Sequence, residues 1–201
     1  MKKKLLIIFV KNPVLGKAKT RLAATIGDEK ALEIYKILLK RTDEITSSLL
    51  FDKAVFYSEF IDNQDVWSND TYQKEIQVQG GLGMKMSAAI KQKFAEGYGS
   101  ICIIGSDCYD LSSEIIDAAF KILEEKDAVI GESEDGGYYL LGMNKLHPVF
   151  FENKNWSTKT VATDTVEDFR KGNLTFGKLP VLNDIDEEKD LRAIQVLLDV
   201  L

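Results

Sequence analysis

Apolar residues along this 201-residue chain alternate between two patterns. Short, nearly continuous apolar or β-branched runs occur at Leu5–Val10, Lys53–Ser58, Glu75–Gln79, Ser100–Ile104, Asp127–Gly131 and Tyr138–Met143, and each reads as a strand. Longer stretches between them carry a helical period. Leu32, Tyr35, Leu38, Leu39, Thr42 and Ile45 form one stripe over 28–49, with Asp28 placed to cap it. Met84–Ala95 reads as a helix, and Ile116, Ala119, Phe120 and Leu123 share a face over 113–123 behind Ser112 as N-cap. Further helices are expected over 164–171 and, from Leu191, Ile194, Leu197, Leu198 and Leu201, over 187–201.

Alternating helices and fully apolar strands imply a parallel sheet covered on both faces. Tyr138–Met143 follows Gly131 too closely for a helical crossover, so an antiparallel strand is expected there. The expected architecture is therefore α/β: a three-layer α/β/α, Rossmann-like arrangement with a mainly parallel mixed sheet. Only three prolines occur, no repeat or low-complexity linker interrupts the chain, and its length suits one domain over 1–201.

Composition narrows the function classes. Hydrophobic residues make up 45% and charged residues 29%, a globular balance. A net charge of −6 argues against the broad basic surface of a nucleic-acid binder, while leaving room for a local phosphate pocket. No run approaches the ~20 apolar residues of a membrane span. The lysine-rich start resembles a signal peptide only superficially, because the apolar run stops at Lys11 and no small-residue cleavage site follows. Cys102 and Cys108 suggest no disulfide framework, so a cytoplasmic protein is expected.

Candidate chemistry gathers in the loops that follow strands, where open α/β sheets bind ligands. After the first strand, Lys11, Lys17, Lys19 and Arg21 place four cations within eleven residues, with Gly16 letting the backbone approach. That suits a di- or triphosphate, and equally a solvated basic loop; the glycine pattern is neither a P-loop nor a dinucleotide fingerprint. After Ile104, the sequence Gly105-Ser106-Asp107 delivers a carboxylate able to bind Mg²⁺ or Mn²⁺, or simply to start the next helix. After Gly131, Asp135-Gly136-Gly137-Tyr138 reads as a substrate-side carboxylate on flexible backbone, or as an ordinary Asp-Gly turn. Lys85 in a glycine-rich turn could meet phosphate, and Trp156-Ser157-Thr158 could line an acceptor pocket. Asp184 and Asp186 read as caps of the last helix, and His147 has no ligand cluster near it.

Taken together, Phe9-Val10-Lys11-Asn12-Pro13, Gly16, Lys19-Thr20-Arg21-Leu22, Gln79-Gly80, Gly105-Ser106-Asp107-Cys108, Asp135 to Tyr138, Trp156 to Thr158 and Asp184-Ile185-Asp186 run almost end to end. In this order they resemble the nucleotide-diphospho-sugar transferase superfamily with the GT-A fold. Within it, the likeness is to a bacterial family assigned as glycosyltransferases and encoded near radical-SAM and selenoprotein-associated proteins, with distant similarity to 2-phospho-lactate guanylyltransferase. The resemblance implies that Lys11, Lys19 and Arg21 meet nucleotide phosphates, and Gly16, Lys85, Gly105 and Ser106 are expected beside them. It implies Asp107 as metal ligand, with Asp186 the secondary candidate, and Asp135 through Tyr138 and Trp156 through Thr158 toward the acceptor. Tyr109 stands where the family usually has proline, and Met84-Lys85 where it commonly has Glu-Arg.

The expected reaction is metal-dependent transfer of a sugar from a nucleotide-diphospho-sugar to a small acceptor, with Asp107 and Asp135 as catalytic residues. The alternative is nucleotidyl transfer from a nucleoside triphosphate with release of pyrophosphate. A third reading is a catalytically silent nucleotide-sugar-binding module.

Overall fold

The computed structural model of the protein describes residues 2–194. Seven strands form one sheet: β1 (Lys4–Val10), β2 (Asp52–Tyr57), β3 (Tyr72–Ile76), β4 (Ser100–Ile104), β5 (Ala128–Glu132), β6 (Tyr138–Met143) and β7 (Phe176–Lys178), in the order β3-β2-β1-β4-β6-β5-β7. Strand β6 runs antiparallel to both β4 and β5, and every other neighbouring pair is parallel. The short link from β5 to β6 thus makes the antiparallel hairpin that its spacing predicts.

Among the described residues, five α-helices accompany these strands: α1 (Thr20–Ile26), α2 (Asp28–Thr46), α3 (Leu82–Ala95), α4 (Ser113–Glu125) and α5 (Val161–Lys171). Successive strand residues point to opposite faces. Leu6, Ile8 and Val10 therefore pack with Tyr35 and Leu39 of α2 and with Ile116 and Phe120 of α4. Leu5 and Ile7 pack on the other face with Met86 and Ile90 of α3 and with Val166 and Phe169 of α5. That is the expected three-layer α/β/α arrangement with a mainly parallel mixed sheet. A smaller cluster of Leu22, Ile34, Leu38, Ile185 and Leu191 draws α1 and the C-terminal segment onto α2.

Where local structure departs from the pattern, the physical reason is visible. Helix α1 occupies a stretch read as loop, because it is one short element burying a single residue, Leu22, and has no period to detect. Asp28 is the first residue of α2 and not its cap; Gly27 (φ 87°) takes the cap position, leaving Asp28 in the first turn at the helix's positive end. Ser112 does cap α4, accepting from the amide of Ile115. Strand β3 ends at Ile76, earlier than expected, since this edge strand alternates weakly. The edge strand β7 has only three residues and none of them is buried, so it leaves no pattern in the sequence. Of the helix expected over 187–201, Glu188–Ile194 is 3-10, and 195–201 lie outside the described residues. No helix among the described residues is long and apolar enough to cross a membrane.

Candidate active site

Chain order reverses between β1 and β4: from β1 the sheet grows toward β2 and β3, and β4 takes the other side. The crevice beyond the carboxyl ends of these two strands is where an open α/β sheet binds its ligand. Two side chains meet there. Lys19 Nζ lies 2.8 Å from Asp107 Oδ1, with the lysine side chain only 4% exposed and the aspartate 45% exposed. Lys19 adopts a left-handed backbone (φ 51°, ψ 45°) at the start of α1, which is uncommon for a residue other than glycine, asparagine or aspartate.

Buried polar groups hold the loops of this rim in place. Asn12 donates from Nδ2 to the Phe60 carbonyl (2.8 Å), and its Oδ1 accepts from the amide of Glu59 (3.0 Å), knotting the β1 loop to the β2 loop. The Tyr35 hydroxyl accepts from the Lys11 amide (2.9 Å), lies 3.0 Å from the Lys11 carbonyl, and meets Ser106 Oγ at 3.2 Å. Gln77 donates to the carbonyls of Val10 and Phe56, closing the ends of β1 and β2. Gly16 (φ 75°) supplies the left-handed residue of the turn in which the Lys17 amide donates to the Val14 carbonyl.

A carboxylate group faces the lysine. Asp184 Oδ2 accepts from Ser133 Oγ at 3.0 Å, and the Ile185 amide donates to the Asp107 carbonyl. Burial, and then the negative charges of Asp107 and Asp135, push the Asp184 carboxyl up to about 7, against the opposing pull of the Ser133 hydroxyl and Lys19. Asp184 thus lies close enough to Asp107 to feel its charge. Asp186 instead pairs with Arg21 at 2.9 Å, so the secondary metal candidate is engaged by a cation. Among the described residues, no group of three or more His, Cys, Asp or Glu side chains is arranged to hold a metal ion.

The cations of the β1 loop are largely paired. Lys17 binds Glu59 at 2.8 Å, Lys19 binds Asp107 and Arg21 binds Asp186. Lys11 is exposed, and it has no carboxylate partner among the described residues. Lys85 is half-buried in the first turn of α3, Gly105 is exposed and Ser106 is buried.

The β5–β6 turn forms a second wall. Asp135 Oδ1 accepts from the Gly137 amide (2.8 Å), so its carboxylate braces the turn. Gly136 (φ 90°) sits so close to the next loop that a Cβ there would lie 2.1 Å from the Lys159 carbonyl oxygen. That contact joins Asp135-Gly136-Gly137 to the Trp156–Thr158 loop, where Ser157 is exposed and left-handed (φ 64°) and Thr158 is also exposed. Trp156 packs edge-on to Tyr138, and a Cβ at Gly83 would meet its Nε1 at 2.6 Å. Burial pushes the Tyr138 hydroxyl well above its ordinary value. Cys102 and Cys108 are free and buried; burial pushes the Cys108 thiol up to about 12, so neither is poised as a nucleophile.

Asn12, Tyr35, Ser133 and Asp184 brace this candidate site, and the sequence assigns none of them a role in it. The Asp184-Ile185-Asp186 pair was visible but reads as capping, and Tyr35 hides within an apolar stripe. Asn12 belongs to a motif that carries the family resemblance but has no role read from it, and Ser133 carries no signal beyond lying just past a strand.

Sheet order, the single antiparallel strand and the position of the crevice define a nucleotide-diphospho-sugar transferase fold. The chain belongs to the DUF2064 family, described as uncharacterized proteins conserved in bacteria, which matches residues 40–158. It is 31% identical to a Desulfovibrio desulfuricans protein named a "putative nucleotide-diphospho-sugar transferase", covering 96% of this chain and 87% of that one at a TM-score of 0.89. A cytidylyltransferase from Leptospira borgpetersenii shares the fold at 14% identity, with 100% and 88% of the two chains covered and a TM-score of 0.64. So does Rv0371c from Mycobacterium tuberculosis, in complex with manganese, at 9% identity, with 96% and 98% covered and a TM-score of 0.59. No curated protein matches the chain.

Proposed function

We propose that the protein is a cytoplasmic, single-domain transferase that moves a sugar from a nucleotide-diphospho-sugar to a small acceptor. The observation that carries this reading is the buried Lys19 paired with Asp107 at the crevice between β1 and β4. The name given to the Desulfovibrio desulfuricans protein supports it.

The residues present fit a hard divalent cation. Asp107 and Asp184 are hard oxygen donors on this rim; burial first, and then the charges of Asp107 and Asp135, push the Asp184 carboxyl up to about 7, and a cation there would offset both. These two would hold Mg²⁺ or Mn²⁺; the manganese complex of a protein with this fold is in keeping with that. When bound, such an ion offsets charge on the departing diphosphate.

The chain's own groups supply the rest. Lys11, Lys19 and Arg21 approach the phosphates from the β1 loop, where negative charge builds as the sugar–phosphate bond breaks. Gly105 lets backbone come close on the β4 side, Ser106 fixes that loop against Tyr35, and Lys85 stands on the α3 side. Asp135 receives the acceptor's proton; its carboxylate is oriented by the Gly137 amide. Gly136, Gly137, Tyr138, Trp156, Ser157 and Thr158 bound the acceptor side.

Incubation with a panel of nucleotide sugars, Mn²⁺ or Mg²⁺ and small acceptors should release nucleoside diphosphate. Asp107→Ala should abolish that release, and unchanged turnover would remove Asp107 from the mechanism. Nucleotidyl transfer is the second reading, favoured by the buried lysine on the β1 loop and by the fold shared with a cytidylyltransferase. Release of pyrophosphate from a nucleoside triphosphate would decide for it.

A further inference from the structure

The cation that neutralises Asp107 in this structure is the protein's own. Lys19 is almost fully buried, its ammonium lies 2.8 Å from Asp107 Oδ1, and its backbone holds a left-handed conformation that ordinary side chains avoid. An ammonium buried this way cannot simply be released, because removing its partner leaves an uncompensated charge out of water. A divalent ion at Asp107 would meanwhile lie beside a fixed positive charge, which disfavours it. A phosphate oxygen resolves both conflicts, since it offers the lysine a charge-assisted hydrogen bond and frees the carboxylate.

From this geometry we infer that Lys19 is an internal counter-ion that keeps Asp107 closed to a divalent cation until a nucleotide phosphate takes the lysine. Metal and nucleotide then bind cooperatively, each strengthening the other by the same factor. Asp107 stays half-exposed, so what holds off an incoming ion is the charge of the lysine and not burial of the carboxylate. Two neighbouring cations are paired in the same way, Arg21 with Asp186 and Lys17 with Glu59, while Lys11 has no carboxylate partner among the described residues. This inference rests on the crevice reading above, in which Asp107 takes a metal and Lys19 a phosphate.

Binding of Mn²⁺ alone to nucleotide-free protein, followed by electron paramagnetic resonance, tests it without turnover. Lys19→Met should bind Mn²⁺ about tenfold more tightly than the native protein, a shift within the usual range of coupling between sites. Lys19→Arg, which keeps the charge, should bind it as the native protein does. Equal or weaker Mn²⁺ binding by Lys19→Met overturns the inference while leaving the transferase reading in place. Should Lys19→Met not fold, Asp107→Asn supplies a second test in the presence of EDTA, with UDP, GDP, CDP and ADP as probes. Freed from its carboxylate, Lys19 should bind the preferred diphosphate more tightly than in the native protein, and the double variant Lys19→Gln/Asp107→Asn should lose that gain. No gain in Asp107→Asn, or an equal gain in the double variant, overturns the inference. Failure of the native protein to bind Mn²⁺ even with every diphosphate present would remove the crevice reading itself, and the inference with it.

Discussion

The hydroxyls of Tyr35 and Ser106 lie 3.2 Å apart inside the protein, tying α2 to the loop that carries Asp107. The same tyrosine oxygen accepts from the Lys11 amide and reaches the Lys11 carbonyl. A phenol has one proton to give, so when it goes to Lys11 the serine donates to the tyrosine. One buried oxygen therefore keeps both walls of the crevice in register.

Tyr35→Phe should separate those walls at little cost in volume. It strands the Lys11 amide and the Ser106 hydroxyl, which is worth about 1–3 kcal/mol. Urea unfolding should show that loss, and nucleotide diphosphate titration should show weaker binding. Native-like stability together with native-like affinity would mean that other contacts hold the loops.

Acid-base behaviour should report on Asp184. Its carboxyl titrates near 7 in the folded protein, against an ordinary value of 3.8, because it is buried and faces Asp107 and Asp135. The folded state therefore holds the proton more tightly than the unfolded chain. Stability from this group is complete below about pH 4, falls as pH rises toward 7, and is flat above it. A shift of about three units sets an upper bound of about 4 kcal/mol. Denaturation of the metal-free protein across this range should show the fall, and Asp184→Asn should flatten it. A native protein that parallels Asp184→Asn from pH 4 to 7 would contradict the buried-carboxylate description.

How far these sites were legible depends on whether a residue's role is local or assembled. Val10, Ile104 and their neighbours announce strands by burial alone, and Gly105-Ser106-Asp107 follows one of them, so the placement of Asp107 at the rim is nearly a consequence of topology. The crossing of Lys19 to Asp107 spans 88 positions, and nothing in the intervening chain encodes it. Asp184 looks like a cap because only tertiary structure buries it within reach of the charge of Asp107. The helix α1 was hidden for a related reason: its stability comes from Leu22 docking on Ile34 and Leu38, not from any repeat of its own. Residues that act through distant partners need the fold before they can be read.

Gly136 offers a test of how the acceptor wall is built. Its φ of 90° and the 2.1 Å that would separate a Cβ from the Lys159 carbonyl oxygen leave no room for a side chain. Gly136→Ala should cost about 2 kcal/mol or more, combining left-handed strain with a backbone clash. It should also displace the Trp156–Thr158 loop, changing the fluorescence of Trp156 where it meets Tyr138. A variant with unaltered emission and melting temperature would show that the two loops are not in contact.

Ser157 holds a left-handed backbone (φ 64°) on the exposed acceptor-side loop, and Asn173 holds one (φ 50°) just past the end of α5. Glycine adopts this conformation without a Cβ penalty. A gain of about 0.5 kcal/mol is expected at Ser157 after the extra entropy of the unfolded glycine is counted, and none at Asn173, because asparagine already tolerates this conformation. Their functional consequences should differ. If Ser157 is held in strain to present its side chain to the acceptor, Ser157→Gly should raise KM for the acceptor while leaving nucleotide affinity unchanged. Asn173→Gly, at the end of α5 and outside the residues placed in the candidate site, should leave both affinities unchanged. Thermal melts paired with acceptor titrations separate the cases: equal kinetics in both variants would reduce Ser157 to an ordinary loop residue.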